Sequence, residues 1–265
     1  MTTGRSMVLN SCGVQKMEYE LSEKEKKARE MLCLPLDMDD NGRIMQTVDE
    51  LWDLVGYWKL NFAYTNYGPE LVKAIKDKGG KVFLDLKFHD IPNSVAGYAR
   101  AAVRLGVDMF NVHASGGHEM MESAQKAAEQ EASRSGIQRP KIIAVTVLTS
   151  LDKDIMNNQL NISGEVEEQV LRLAKLTQKS GLDGVVCSAA DLHAIKDKLP
   201  EDFLFVTPGV KGVTTAAGSD QKRVFSPGNA VEDGSSMLVV GRAILDAPDR
   251  RAAAYEILQD MAKKL

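Results

Sequence analysis

The fold the sequence predicts is an α/β barrel of eight parallel strands, each followed by a helix, and three observations carry it. Eight short apolar runs recur along the 265 residues, and amphipathic helical patterns fill several of the intervals between them. The series also occupies about the length such a barrel takes, roughly 250 residues. Strands that alternate with helices pair in parallel. A doubly wound open sheet is the rival arrangement, but the first strand–helix turn, "LDMDDNGR", lacks its GxGxxG fingerprint. No linker or low-complexity segment divides the chain. We therefore expect an N-terminal extension over residues 1–30 and a single barrel domain over 31–265.

Taken in order, the extension contains "LSEKEKKARE", a polar helix that opens on a capping box from Ser22 to Glu25 and is expected to close the bottom of the barrel. The strands are "MLCLPLD" (31–37), "YWKLN" (57–61), "KVFLDLK" (81–87), "MFNVHA" (109–114), "IIAVTVL" (142–148), "GVVCS" (184–188), "FLFVTP" (203–208) and "SMLVVG" (236–241). Each is a short apolar run of strand length. Between them, "PELVKAIKDKGG" repeats apolar residues at helical spacing and stops at a glycine pair. "EVEEQVLRLAKLTQKSG" does the same, with Gly181 as its stop.

Composition narrows the function classes. The chain is 44% hydrophobic and 26% charged, an ordinary globular balance. Its net charge of −4 gives no electrostatic footprint for nucleic acid. No apolar run approaches the roughly 20 residues that span a bilayer, and the N-terminal "MTTGRSMVLNSCGVQK" lacks a secretory apolar region. Cys12, Cys33 and Cys187 lie far apart; the last two fall in apolar runs and read as buried free thiols. A cytoplasmic protein is the expectation.

In a barrel of this kind the site forms at the C-terminal ends of the strands. There the sequence places Asp37, Lys59, Asp85 with Lys87, His113, Thr149 with Ser150, "TPGVK", and Gly241 with Arg242. Each has a structural reading of its own: Asp37 could cap a helix, and Lys59 could extend its ammonium from a strand edge. Closure of the barrel brings them together, and the joint pattern points to a site. Strand alternation aims Asp85 and Lys87 the same way. Lys59, Asp85, Lys87 and Asp90 then interleave opposite charges, an array that holds its members ionised around a proton donor and suits the stabilisation of a carbanion. Gly241–Arg242 offers backbone N–H groups and a guanidinium to a phosphate. The small, polar "GVKGVTTAAGSDQKR" reads as a lid over it, with Gln221 as a contact. His89 is expected to point away and pack. His113 and His118 lack metal-ligand spacing.

"FLDLKFHDIPNSV" resembles the signature of the orotidine 5′-phosphate decarboxylases, as do "LPLD", "NVHASGG", "AVTVLTS", "GLDGVVCS", "VTPGV" and "VVGRAI" in order and spacing, over about residues 31–263. The resemblance implies a metal- and cofactor-free enzyme that converts orotidine 5′-phosphate to UMP in pyrimidine synthesis. It also implies a homodimer with shared sites. Asp37 would bind the ribose hydroxyls and Lys59 would bridge ribose and charge network. Asp85 would lie against the substrate carboxylate, and Lys87 would stabilise and protonate C6. Asp90 and Ser94 would reach into the partner's site, Thr149 and Ser150 would contact the pyrimidine, and Gln221, Gly241 and Arg242 would hold the phosphate. Three positions depart from the family's pattern. Ser94 replaces a threonine and keeps its hydroxyl, and "LN" follows Lys59 where Val-Gly is common. Lys211 stands where an arginine is typical, and a lysine meets phosphate as a point charge rather than a fork. Two other readings stand beside this one: a metal-dependent decarboxylase of 3-keto sugar phosphates from the same superfamily, and a barrel that binds a nucleotide without turning it over. "DIPN", "LTS" and the Gln221 lid favour a nucleotide substrate over the first, and the complete charge array argues against the second.

Overall fold

The computed structural model describes residues 5–9, 15–209 and 226–265. The chain begins with an antiparallel pair, β1 (Arg5–Leu9) and β2 (Gln15–Tyr19), and then α1 (Glu23–Met31). The barrel alternates β3 (Leu32–Pro35), α2 (Asn41–Leu51), β4 (Tyr57–Leu60), α3 (Phe62–Asp77), β5 (Lys81–Phe88), α4 (Pro92–Arg104), β6 (Met109–His113) and α5 (Gly117–Ser135). It continues through β7 (Lys141–Val145), α6 (Val166–Lys179), β8 (Gly184–Val186), α7 (Leu192–Ile195), β9 (Leu204–Pro208), α8 (Pro227–Glu232), β10 (Met237–Val239), α9 (Arg242–Leu245) and α10 (Arg250–Ala262). Strands β3 to β10 pair in parallel in chain order, and β10 closes on β3. All eight barrel strands fall where the apolar runs placed them. The pair β1–β2 was not foreseen.

The local signals act as chemistry requires. At α1, Ser22 N donates to Glu25 Oε2 at 2.8 Å and Glu25 N donates to Ser22 Oγ at 3.3 Å, so two otherwise unpaired N–H groups are satisfied reciprocally. Gly181 follows α6 at φ 78°, a left-handed stop that a residue with a Cβ resists. Within α3 the helical path breaks at Gly68 (φ 61°), and Pro69 starts the second half, where a missing N–H costs nothing.

Inward side chains at the lower end of the barrel, Cys33, Phe83, Met109, Ile143, Val206, Met237 and Val239, form an apolar plug. The outward faces pack on the helices in a large core that includes Trp58, Phe110, Leu34 and Leu60, and in a second cluster where Val185 and Phe205 meet Val170 and Leu192. This division follows from the period of two along each strand. Cys33 and Cys187 are buried free thiols as expected, while Cys12 lies outside the described residues. No helix among those residues is long and apolar enough to cross a membrane.

The helix α1 packs along α10. Its C-terminal turn reaches the N-terminal rim, where Glu30 pairs with Lys81 at the start of β5 and Arg29 donates to the carbonyl of Trp52 at 3.2 Å. Gly56, just before β4, makes this approach possible: a Cβ there would stand 2.2 Å from the Arg29 carbonyl oxygen and 2.9 Å from Glu30 Cα. Both obstacles are backbone, so they cannot swing aside. Gly56→Ala is therefore expected to destabilise the protein by about 1–3 kcal/mol, read as a lower urea midpoint at unchanged slope. An unaltered midpoint would show that α1 shifts freely on the barrel.

Candidate active site

Asp85, on β5, is the centre of the polar cluster at the upper end of the barrel. Its Oδ2 pairs with Lys59 Nζ of β4 at 2.9 Å, and its Oδ1 accepts from Lys87 Nζ at 2.7 Å. Asn111 Nδ2 of β6 donates to the same Oδ1 at 2.6 Å. Lys59 also approaches Asp37 Oδ2, just beyond β3, at 3.5 Å. Lys59 and Asp85 are buried, with side-chain exposures of 9% and 10%, whereas Lys87 at 30% faces the opening. A buried charge is tolerated only when it is paired, and here each is.

Burial pulls the Lys59 ammonium toward deprotonation, but Asp85, Asp37 and the hydrogen bond to Asp85 outweigh it and hold its pKa above the ordinary lysine value. His113 moves the other way. Burial, then His89 and Lys87, lower its pKa and favour the neutral ring.

Asp85 and Lys87 meet, as strand alternation implies, but not by plain alternation. On β5 the pairing advances four residues from Leu84 to Phe88 while β6 advances two, from Phe110 to Val112. The excess is a bulge, and within it Lys87 has φ 51°. A left-handed conformation costs a non-glycine residue on the order of 1 kcal/mol, and a specific bond offsets it: Lys87 N donates to Asn111 Oδ1 at 2.8 Å. Phe88 packs outward on the face of Leu84, its ring 5.8 Å from Phe110 and 5.2 Å from Tyr98.

Lys59, Asp85 and Lys87 line a cavity of about 230 Å³ together with Phe83, Thr149 and Pro208. Of the residues singled out from sequence, the structure thus gathers Asp37, Lys59, Asp85, Lys87 and Thr149, with Ser150 exposed on the same loop. Gly241 sits over β3, where a Cβ would meet Pro35 Cγ at 2.9 Å, and Arg242 is exposed as the first residue of α9. Asp90 does not join the lysines of its own chain. It is exposed and accepts from Tyr98 Oη at 3.2 Å and from Ile91 N at 2.7 Å. Ser94 is half-buried in the first turn of α4. Lys211, Gln221 and most of the expected lid lie outside the described residues.

His89 rests with its ring 5.3 Å from that of His113, and His118 shares a hydrogen bond with Ser180 at 2.9 Å. The residue that sequence reasoning missed is Asn111. The available signal was a lone amide at an inward position of "MFNVH", on the face of Met109 and His113.

The sequence matches the family described as "Orotidine 5'-phosphate decarboxylase / HUMPS family" over residues 30–257. It is 46% identical over 235 residues to the orotidine 5′-phosphate decarboxylase of Moorella thermoacetica, covering 88% of this chain and 93% of that one. The enzyme of the same name from Syntrophus aciditrophicus is also 46% identical, over 91% of this chain and 96% of its own. Among solved structures, orotidine 5′-phosphate decarboxylase from Lactobacillus acidophilus superposes with a TM-score of 0.76 at 36% identity, covering 87% of this chain and 98% of that one.

The opposing influences on Lys59 yield a direct test. Asp85 is the strongest of those that raise its pKa, against burial, which lowers it. Asp85→Asn should therefore bring the Lys59 ammonium down, observable by NMR titration of labelled lysine side chains. An unmoved Lys59 would show that Asp37 suffices to hold the charge.

Proposed function

The chain belongs to the orotidine 5′-phosphate decarboxylase / HUMPS family, and on that premise we propose the residue-level route by which it converts orotidine 5′-phosphate to UMP and carbon dioxide. The activity is that of a carboxy-lyase of pyrimidine nucleotide synthesis. One observation carries the route: a buried Asp85 holds Lys59 and Lys87 on opposite oxygens at the wall of the cavity.

A substrate carboxylate seated beside Asp85 faces a like charge, and that repulsion disappears as carbon dioxide leaves. Cleavage of the C6–carboxylate bond leaves its electron pair at C6, where the Lys87 ammonium favours the growing negative charge. Lys87 then transfers a proton to C6, which completes UMP, and is reprotonated from solvent. The interactions are stronger in the transition state than in the ground state, which is the condition for catalysis. Every step uses side chains of the protein alone, without metal or cofactor. Lys59 fixes Asp85 and, with Asp37, meets the ribose hydroxyls. Thr149 and Ser150 flank the pyrimidine. Gly241 and Arg242 take the phosphate, joined by Lys211 and by Gln221 from the lid.

Asp90 and Ser94 serve the partner's site in a homodimer. The support is that Asp90 engages Tyr98 rather than its own chain's lysines, and that Ile91 and Tyr98 beside it are 67% and 40% exposed. Apolar side chains left open at the head of α4 suit a covered face. We place the enzyme in the cytoplasm, where its buried thiols stay reduced.

Orotidine 5′-phosphate loss, followed spectrophotometrically, should proceed equally with and without chelator. Lys87→Ala should abolish it with little loss of UMP binding, because bound UMP asks no proton of the enzyme. Retention of more than a few per cent of activity would remove Lys87 from the role of proton donor.

Subunit exchange tests the shared site. Mixing inactive Asp90→Ala dimers with inactive Lys87→Ala dimers should restore about a quarter of wild-type activity, since about half the dimers are then mixed and each has one intact site of two. Activity no higher than that of the parents, with exchange verified by native mass spectrometry, would assign Asp90 to its own chain.

A further inference from the structure

We propose that Asn111 is a positioning residue for the decarboxylation, acting as a template that holds both the Lys87 backbone and the Asp85 carboxylate; this rests on the catalytic reading above. Its side chain is fully buried on β6. The carboxamide has an acceptor end and a donor end, and both are committed. Lys87 N–H can only donate, so the amide oxygen faces it at 2.8 Å. The amide nitrogen must then face Asp85 Oδ1, at 2.6 Å.

This arrangement closes a ring of contacts: Asn111 to the Lys87 backbone, along the Lys87 side chain to its Nζ, and from Nζ to Asp85 Oδ1 at 2.7 Å, the oxygen that Asn111 itself binds. The ring is the reason Lys87 stays at φ 51° within the bulge. Aspartate fits the same volume but lacks the donor when ionised, and a hydrophobic residue satisfies neither end. The role is therefore one of geometry, and the touching of substrate is left to Lys87 and Asp85.

Asn111→Ala is expected to lower kcat by about 100-fold, the scale on which small misplacements of a reacting group act. UMP affinity, measured by calorimetry, should change little. A merely structural asparagine would instead lower the melting temperature and leave kcat of the folded fraction unchanged. Asn111→Asp adds a readout in pH. The groups that face position 111 are Asp85 and Lys87 on β5 and His113 on its own strand. Lys59 and then Asp37 stand behind Asp85, Cys33 lies in the plug beneath, and β7 brings only Ile143 and Val145. A second carboxyl against Asp85 holds its proton to higher pH. Protonated, it donates as the amide did; ionised, it repels Asp85. The kcat of Asn111→Asp should therefore fall as pH rises through that raised value, a limb absent from the wild type.

A kcat for Asn111→Ala within a few-fold of the wild type, or an Asn111→Asp profile superimposable on the wild-type profile, would overturn the proposal. If the alanine variant does not fold, the isosteric aspartate variant decides. A crystal structure of either variant separates this inference from the catalytic reading. Lys87 retaining its left-handed conformation and its bond to Asp85 Oδ1 in Asn111→Ala would refute the template role whatever the substrate. An inactive wild type with Lys87 displaced in Asn111→Ala would refute the reaction and leave the template standing.

Discussion

One carboxylate organises the upper half of this barrel. Asp85 accepts from two ammonium groups and one amide, drawn from β4, β5 and β6. Its negative charge makes a buried Lys59 tolerable, and Lys59 in turn draws Asp37 into the cluster. Neither Lys59 nor Asp85 would be stable in a low-dielectric interior alone. The cost of dehydrating these two is offset because they are dehydrated as a pair. That mutual dependence also explains why the cluster suits chemistry: a rigid, paired field needs no reorganisation when charge moves in a substrate.

The remainder of the fold holds the carboxylate where it can act. Below it, the plug of Cys33, Phe83, Met109, Ile143, Val206, Met237 and Val239 excludes water, and burial keeps the Cys33 thiol protonated. Around it, outward side chains on the same strands lock into the helical shell. The bulge in β5 lies at the boundary between these regions. There Phe88 stays in the outer packing against Phe110 and Tyr98, and Lys87 faces the cavity.

Asp90 sets a limit on how much of the charge array one chain assembles. Its carboxylate bonds the Ile91 amide and the Tyr98 hydroxyl on the exterior of the barrel, beyond the end of β5. The four interleaved charges of the sequence thus separate into three that converge and one that faces outward. The homodimer proposed above would reunite them, with the exposed Ile91 and Tyr98 as the apolar part of the contact.

The eight barrel strands were legible in the sequence alone, as were the helices ending at Gly181 and opening at Ser22, and the gathering of Lys59, Asp85, Lys87 and Thr149 at one cavity with Asp37 beside Lys59. These are local properties: a strand face that is buried must alternate, a helix end must satisfy its N–H groups, and strand termini in a closed barrel share one mouth. The bulge, the left-handed Lys87 and the part played by Asn111 came from tertiary structure alone. The alternation rule placed Asp85 and Lys87 together for an incomplete reason, because it assumes a regular strand. Register is a relation between β5 and β6, two segments distant along the chain, and the amide that sustains the exception at Lys87 belongs to the neighbouring strand. No window of sequence around residue 87 contains it.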